Sequence, residues 1–128
     1  MKNLMALAFI LTMTNLARAQ ERDIQKFEYA AETKLIQATI ELASSVVLCK
    51  ENSDCKAIAF GEKACGGPLG YTFTSKLNLN LEEVEFLSQK TIERGKYLNQ
   101  KYSRFSNCAI ESEPELECIQ NFCVEKQF

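Results

Sequence analysis

CKENSDCKAIAFGEKACGGPLGYTFT, running from Cys49 to Thr74, is the stretch whose reading decides the fold. Cys49 and Cys55 close a polar loop, Lys50 to Asp54. Lys56-Ala-Ile-Ala-Phe60 reads as a short strand that ends at Gly61. Ala64-Cys-Gly-Gly-Pro-Leu-Gly70 then concentrates three of the five Gly and one of the two Pro in seven residues. Gly permits positive φ and Pro fixes φ, so a tight turn is expected here. Tyr71-Thr-Phe-Thr74 alternates aromatic and Thr residues, the period-2 pattern of a second strand.

Helical periodicity flanks this stretch on both sides. Upstream, Ile24, Phe27, Ala31, Leu35, Ala38, Leu42 and Val46 step by three or four and predict one helix over 20–48. Ile36, Ile40, Ala43 and Val47 widen its apolar stripe, and Glu32, Lys34 and Glu41 fall outside it. Downstream, Leu81, Val84, Leu87, Thr91, Gly95, Leu98, Tyr102 and Phe105 mark a second helix. Asn80 is its expected cap, with Glu83 returning the bond. Glu82, Glu83 and Glu85 at its start, with Lys96, Lys101 and Arg104 at its end, suit the helix dipole. Gly95 inside this helix suggests a close helix crossing.

Three strand-like runs close the chain: Cys108 to Ile110, Glu117 to Ile119 and Phe122 to Val124. Gln120-Asn121 is the expected hairpin turn between the last two. The fold class is therefore α+β, with two helices packed on a small antiparallel sheet.

The first 19 residues follow a different logic. Lys2 supplies a positive start, Leu4 to Met13 is an apolar run, and Ala17-Arg-Ala19 has small residues at the positions a signal peptidase reads. Residues 1–19 are thus expected to be a signal peptide, cut between Ala19 and Gln20. The run is too short to cross a bilayer, which needs about 20 apolar residues. Residues 20–128 then form one disulfide-rich domain without a transmembrane span, exported to the periplasm or the medium. Losing Lys2 and Arg18 moves the formal charge from −2 to −4, so nothing favours nucleic acid as a partner.

All six Cys lie beyond that cut, at Cys49, Cys55, Cys65, Cys108, Cys118 and Cys123. An even count in an oxidising compartment predicts three disulfides, with 15 connectivities open. No C-x-x-C occurs, against both a redox pair and a zinc knuckle. The chain has no His, so a structural zinc site would have to be all-thiolate. No metal or cofactor is expected.

Gly66, Gly67 and Pro68, with Leu69, Tyr71 and Phe73 beside them, are the candidate binding residues. Consecutive Gly amides can form an anion-binding concavity, and the aromatic rings can offer a contact surface. Glu111, Glu113, Glu115 and Glu117 offer oxygen ligands for calcium but lack the Asp/Asn/Gly pattern of a rigid loop, so they read as a solvated connector. Enzymatic chemistry is not expected. Without His, a Ser or Cys nucleophile needs Lys or a carboxylate as base. The one S-x-x-K, Ser53 to Lys56, lacks its partner motifs.

Ser53-Asp-Cys55, Cys65-Gly-Gly-Pro68, Ser106-Asn-Cys108 and Pro114-x3-Cys118-x4-Cys123 together resemble a group of small exported bacterial proteins with a CGGP block and six Cys. The resemblance covers about residues 49–124 and implies an exported, Cys-bridged domain without catalytic residues. The leading expectation is a small, monomeric extracytoplasmic binding or inhibitor-like module whose partner is an exported or envelope protein. The alternative is a structural envelope component that self-associates or packs on a larger partner.

Overall fold

The computed structural model describes residues 2–127. Its elements run α1 (Lys2–Ser44), β1 (Cys55–Phe60), β2 (Gly70–Ser75), α2 (Leu81–Tyr102), β3 (Leu116–Ile119) and β4 (Phe122–Glu125), with one helical turn at Asn52–Asp54 before β1. The class is α+β, as expected, but the strands form two antiparallel hairpins, β1–β2 and β3–β4, rather than one sheet. No described helix is long and apolar enough to cross a membrane.

The chain divides into two compact units, one reaching to Ala31 and one starting at Glu32. In the first, Leu7, Phe9, Ile10, Leu11, Met13 and Leu16 are each more than half exposed. Ile24 and Phe27, assigned by periodicity to a buried stripe, are exposed as well.

In the second unit the stripe does find a core. Ala43, Ile58 and Val84 are buried together, with Leu42 against them. The helix stops at Ser44, three residues short of Val47. Ser44 Oγ donates to the Ile40 carbonyl and Ser45 Oγ to that of Leu42, while the β-branched pair Val46-Val47 turns extended. That extended pair joins the two hairpins. The Val46 carbonyl accepts from the Ser75 amide at 2.9 Å, and the Val47 carbonyl accepts from the Cys123 amide at 2.7 Å.

Helix α2 lies along β1 through a polar seam. Ser88 Oγ donates to the Ala59 carbonyl at 2.6 Å, Thr91 Oγ1 accepts the Gly61 amide at 2.9 Å, and Asn99 Nδ2 donates to the Glu62 carbonyl at 3.0 Å. Lys56 pairs with Glu85 at the start of the seam. Gly95 belongs to it and is not at a helix crossing: a Cβ there would lie 2.8 Å from the Glu62 backbone nitrogen. The loop that leads from β1 into the turn passes α2 so closely that only Gly fits.

Three further readings are corrected. Asn80 makes no side-chain cap; instead buried Asn78 accepts the Asn80 amide on Oδ1 at 2.9 Å and donates from Nδ2 to Leu42 and Thr74. Asn78 is the better anchor because it ties the helix start to both α1 and β2. Glu32, expected on the open face, is 6% exposed and pairs bidentately with Arg104, at 2.6 and 3.0 Å. Cys108 to Ile110 is not a strand: the Ala109 carbonyl accepts a hydrogen bond from Lys63 Nζ rather than from a neighbouring strand's backbone. The Gln120-Asn121 turn is as expected, both residues having positive φ.

All six Cys are bridged: Cys49–Cys118, Cys55–Cys123 and Cys65–Cys108. Cys118 and Cys123 face each other across the β3–β4 hairpin, yet each bonds outward, to the loop before β1 and to its first residue.

Two measurements test this packing. Gly95→Ala should destabilise by about 1–3 kcal/mol in urea melts, because overpacking against backbone outweighs the roughly 1 kcal/mol gained in helix propensity. An unchanged or raised midpoint would refute the close approach. Asp54 accepts the Lys50 and Glu51 amides, which hold its carboxyl below its ordinary value of 3.8. A lowered folded value adds stability at neutral pH that is lost as pH falls through it. Asp54→Asn should therefore melt earlier than the parent at pH 7, and the gap should close as pH drops below 3.8.

Candidate functional site

The CGGP turn is built by its own backbone. The Lys63 amide donates to the Gly67 carbonyl at 2.8 Å, and the Gly66 amide donates to the Lys63 carbonyl at 2.9 Å. Gly66 and Gly67 have φ of 94° and 84°, and a Cβ on either would meet nothing within 4 Å. Glycine is needed here for conformation and not for space. The Gly66 amide is spent inside the turn, so the two Gly amides are not both available to an anion.

Two clamps hold the chain after α2 against this turn. One is the Cys65–Cys108 bridge, beside which the Cys65 amide donates to Ser106 Oγ at 3.3 Å. The other is Lys63, whose side chain is only 7% exposed; its ammonium donates to the Ala109 carbonyl at 2.7 Å and to Glu111 Oε1 at 3.0 Å. A buried ammonium must be paired, and this one takes a full carboxylate and a carbonyl. Lys63, the Cys65–Pro68 turn and the Cys108–Glu111 segment line a cleft of about 220 Å³. Beside it Ile110 is 92% exposed.

Of the residues singled out by sequence, Gly66, Gly67 and Pro68 line this cleft. Leu69 is exposed at its flank, with its side chain filling the space beside Gly61. Tyr71 and Phe73 lie in β2 opposite Ala59 and Ala57, half-buried, and do not line the cleft. Sequence reasoning missed Lys63, Ala109 and Ile110. No local signal marks them: a Lys two residues before a Cys is ordinary, and the segments meet only through a bridge that spans 43 positions.

The other motifs disperse. Glu111 pairs with Lys63 and Glu115 with Lys126, and among the described residues these acids form no group of three whose oxygens could share an ion. Ser53 Oγ donates to Glu51 Oε1 at 2.7 Å, while Lys56 pairs with Glu85, so the two side chains of the S-x-x-K motif are engaged by different carboxylates. The cleft thus brings together a glycine turn, a buried charge pair and an exposed apolar side chain. The chain matches no family model, no curated protein and no solved structure.

The bridge should carry the site and much of the stability. Closing a loop of this length is worth about 4 kcal/mol in the chain-entropy limit, with about 2–4 kcal/mol typical. The double variant Cys65→Ala/Cys108→Ala should lose about that much in urea melts, whereas Glu113→Ala should stay within about 0.5 kcal/mol of the parent. Equal midpoints for all three proteins would show that the core and not the bridge sets stability.

Proposed function

We propose that this chain is a small extracytoplasmic binding module, inhibitor-like in build, that presents the cleft beside the CGGP turn to an exported or envelope protein. The observation that carries the reading is the double clamp on one short surface segment. A disulfide and a buried Lys hold residues 108–111 in place, and they leave Ile110 bare. A large apolar side chain fixed in solvent loses hydrophobic free energy in the monomer and regains it when a partner covers it. Preorganised contacts of this kind bind at low entropic cost.

Three bridges fit an oxidising compartment. Export by residues 1–19, with cleavage between Ala19 and Gln20, is supported by the bare apolar side chains from Leu7 to Leu16. A monomer without catalytic activity is the matching biochemical expectation.

The structural-component alternative draws on a different observation. Leu48, Ile119 and Phe122 are each about half exposed, and the backbones of Leu48 and Phe122 pair with one another, so apolar side chains gather on the β3–β4 hairpin. Such a patch suits packing on another copy or on a larger envelope partner.

Expression of the full chain in a bacterium, followed by recovery of the exported protein, tests both. The expected product has an intact mass starting at Gln20 and sediments as a monomer. It retains envelope protein on an affinity support, and Ile110→Glu loses that retention. Equal retention by parent and variant would overturn the cleft as the contact surface. Sedimentation as an oligomer would favour the alternative.

A further inference from the structure

The exposed run after α2 offers more than one bare side chain. Seven consecutive residues, Asn107 to Glu113, are exposed and belong to no helix or strand. Among the described residues, only one backbone group in this run has a partner within the protein: the Ala109 carbonyl, which accepts from Lys63 Nζ. The amides and the other carbonyls are free. A row of free backbone groups is what a partner's strand edge pairs with, main chain to main chain.

Free backbone is usually loose, but this run is pinned at three points within four residues. Cys108 is bonded to Cys65, the Ala109 carbonyl lies 2.7 Å from Lys63 Nζ, and Glu111 Oε1 lies 3.0 Å from the same nitrogen. One buried ammonium thus grips the residues on both sides of Ile110, whose side chain stands in solvent. Lys63 is itself fixed, its amide donating to the Gly67 carbonyl. The other two bridges add a covalent constraint. A cut between Ile110 and Glu111 adds one water across that bond and releases neither piece, because Cys118 and Cys123 are bonded back to Cys49 and Cys55.

We propose that the Cys108–Glu111 run is a substrate-like inhibitory loop for an exported serine endopeptidase, with Ile110 filling an aliphatic specificity pocket of that enzyme. The inference rests on the binding-module reading and names the partner class for it. A serine endopeptidase reads one side chain in a pocket beside the scissile bond, and an extended peptide docks on such a partner as an added strand. Free backbone on either side of one bare Ile meets both requirements. A loop held in place before binding gives up little entropy on docking, and complexes of this type are among the tightest known. Phe105, as bare as Ile110, is less suited. Arg104 and Ser106 beside it are half-buried, so the chain on its two sides is not open to an enzyme.

The test uses the exported protein with its bridges intact, and an elastase as the probe, a serine endopeptidase whose pocket takes small aliphatic side chains. Hydrolysis of a chromogenic peptide is followed as this protein is added. Inhibition competitive with the peptide is expected, and Ile110→Glu should weaken it by about 100-fold, the loss of a central anchor. Phe105→Ala should inhibit as the parent does. Lys63→Met should inhibit about 10-fold less well, because the loop must then be ordered on binding. Glu111→Gln, at an exposed position that spares the fold, should shift inhibition in the same direction. No inhibition by the parent, equal inhibition by Ile110→Glu, or rapid cleavage after Ile110 with loss of inhibition would each overturn the proposal. If the parent does not inhibit while Ile110→Glu still loses its hold on envelope protein, the inhibitory role falls and the binding-module reading stands.

Discussion

Everything in the compact unit from Glu32 onward depends on the short extended run Val46 to Cys49. A lone two-stranded hairpin is marginal in water, and this chain has two, neither of which shares a ladder with the other. Val46 hydrogen-bonds to the end of β2 and Val47 to the start of β4, so one peptide stretch joins both hairpins to the helix that precedes it. Cys49, at the end of the run, adds a covalent tie to β3. Remove the run and the hairpins lose their common neighbour, and the Cys55–Cys123 bridge and the small apolar cluster around Ala43, Ile58 and Val84 are left to position them.

With so small an apolar core, the polar groups between elements carry unusual weight. Ser88, Thr91 and Asn99 cap groups on the outer edge of β1 and the loop after it, and Asn78 joins α1, β2 and the start of α2. These side chains are short, so each fixes a backbone separation closely. The bidentate Glu32–Arg104 pair does the same between α1 and the chain after α2. Breaking one member of such a buried pair leaves a charge without its partner, a cost on the order of 3 kcal/mol. Specific polar contacts here do much of the positioning that apolar packing does in larger domains.

How much of this was legible in the sequence follows from distance along the chain. The Gly-Gly-Pro turn, the Gln120-Asn121 hairpin and the α2 stripe from Val84 to Leu98 are governed by neighbouring residues, and all read correctly. Glu32 read as solvent-facing because its partner is 72 positions away. Gly95 read as a helix crossing because the loop at Glu62 that passes it is invisible to helical periodicity. At the candidate site, the turn residues were legible while Lys63 and Ile110 were not. A cleft made by a long-range bridge has only one of its walls written locally.

The pairing of the cysteines also imposes an order on maturation. Each bridge joins one of the first three, Cys49, Cys55 and Cys65, to one of the last three, Cys108, Cys118 and Cys123. If the amino-terminal part of the chain meets an oxidant first, three thiols are exposed to it before any correct partner is at hand. Any bond formed among them at that stage is wrong and must be reopened by thiolate attack before the native set can close. The route to the native protein therefore favours delayed oxidation or an attending isomerase. Cys118 and Cys123 find their partners 69 and 68 positions away, so both bridges at the β3–β4 hairpin are long-range closures that wait for the fold to bring their ends together.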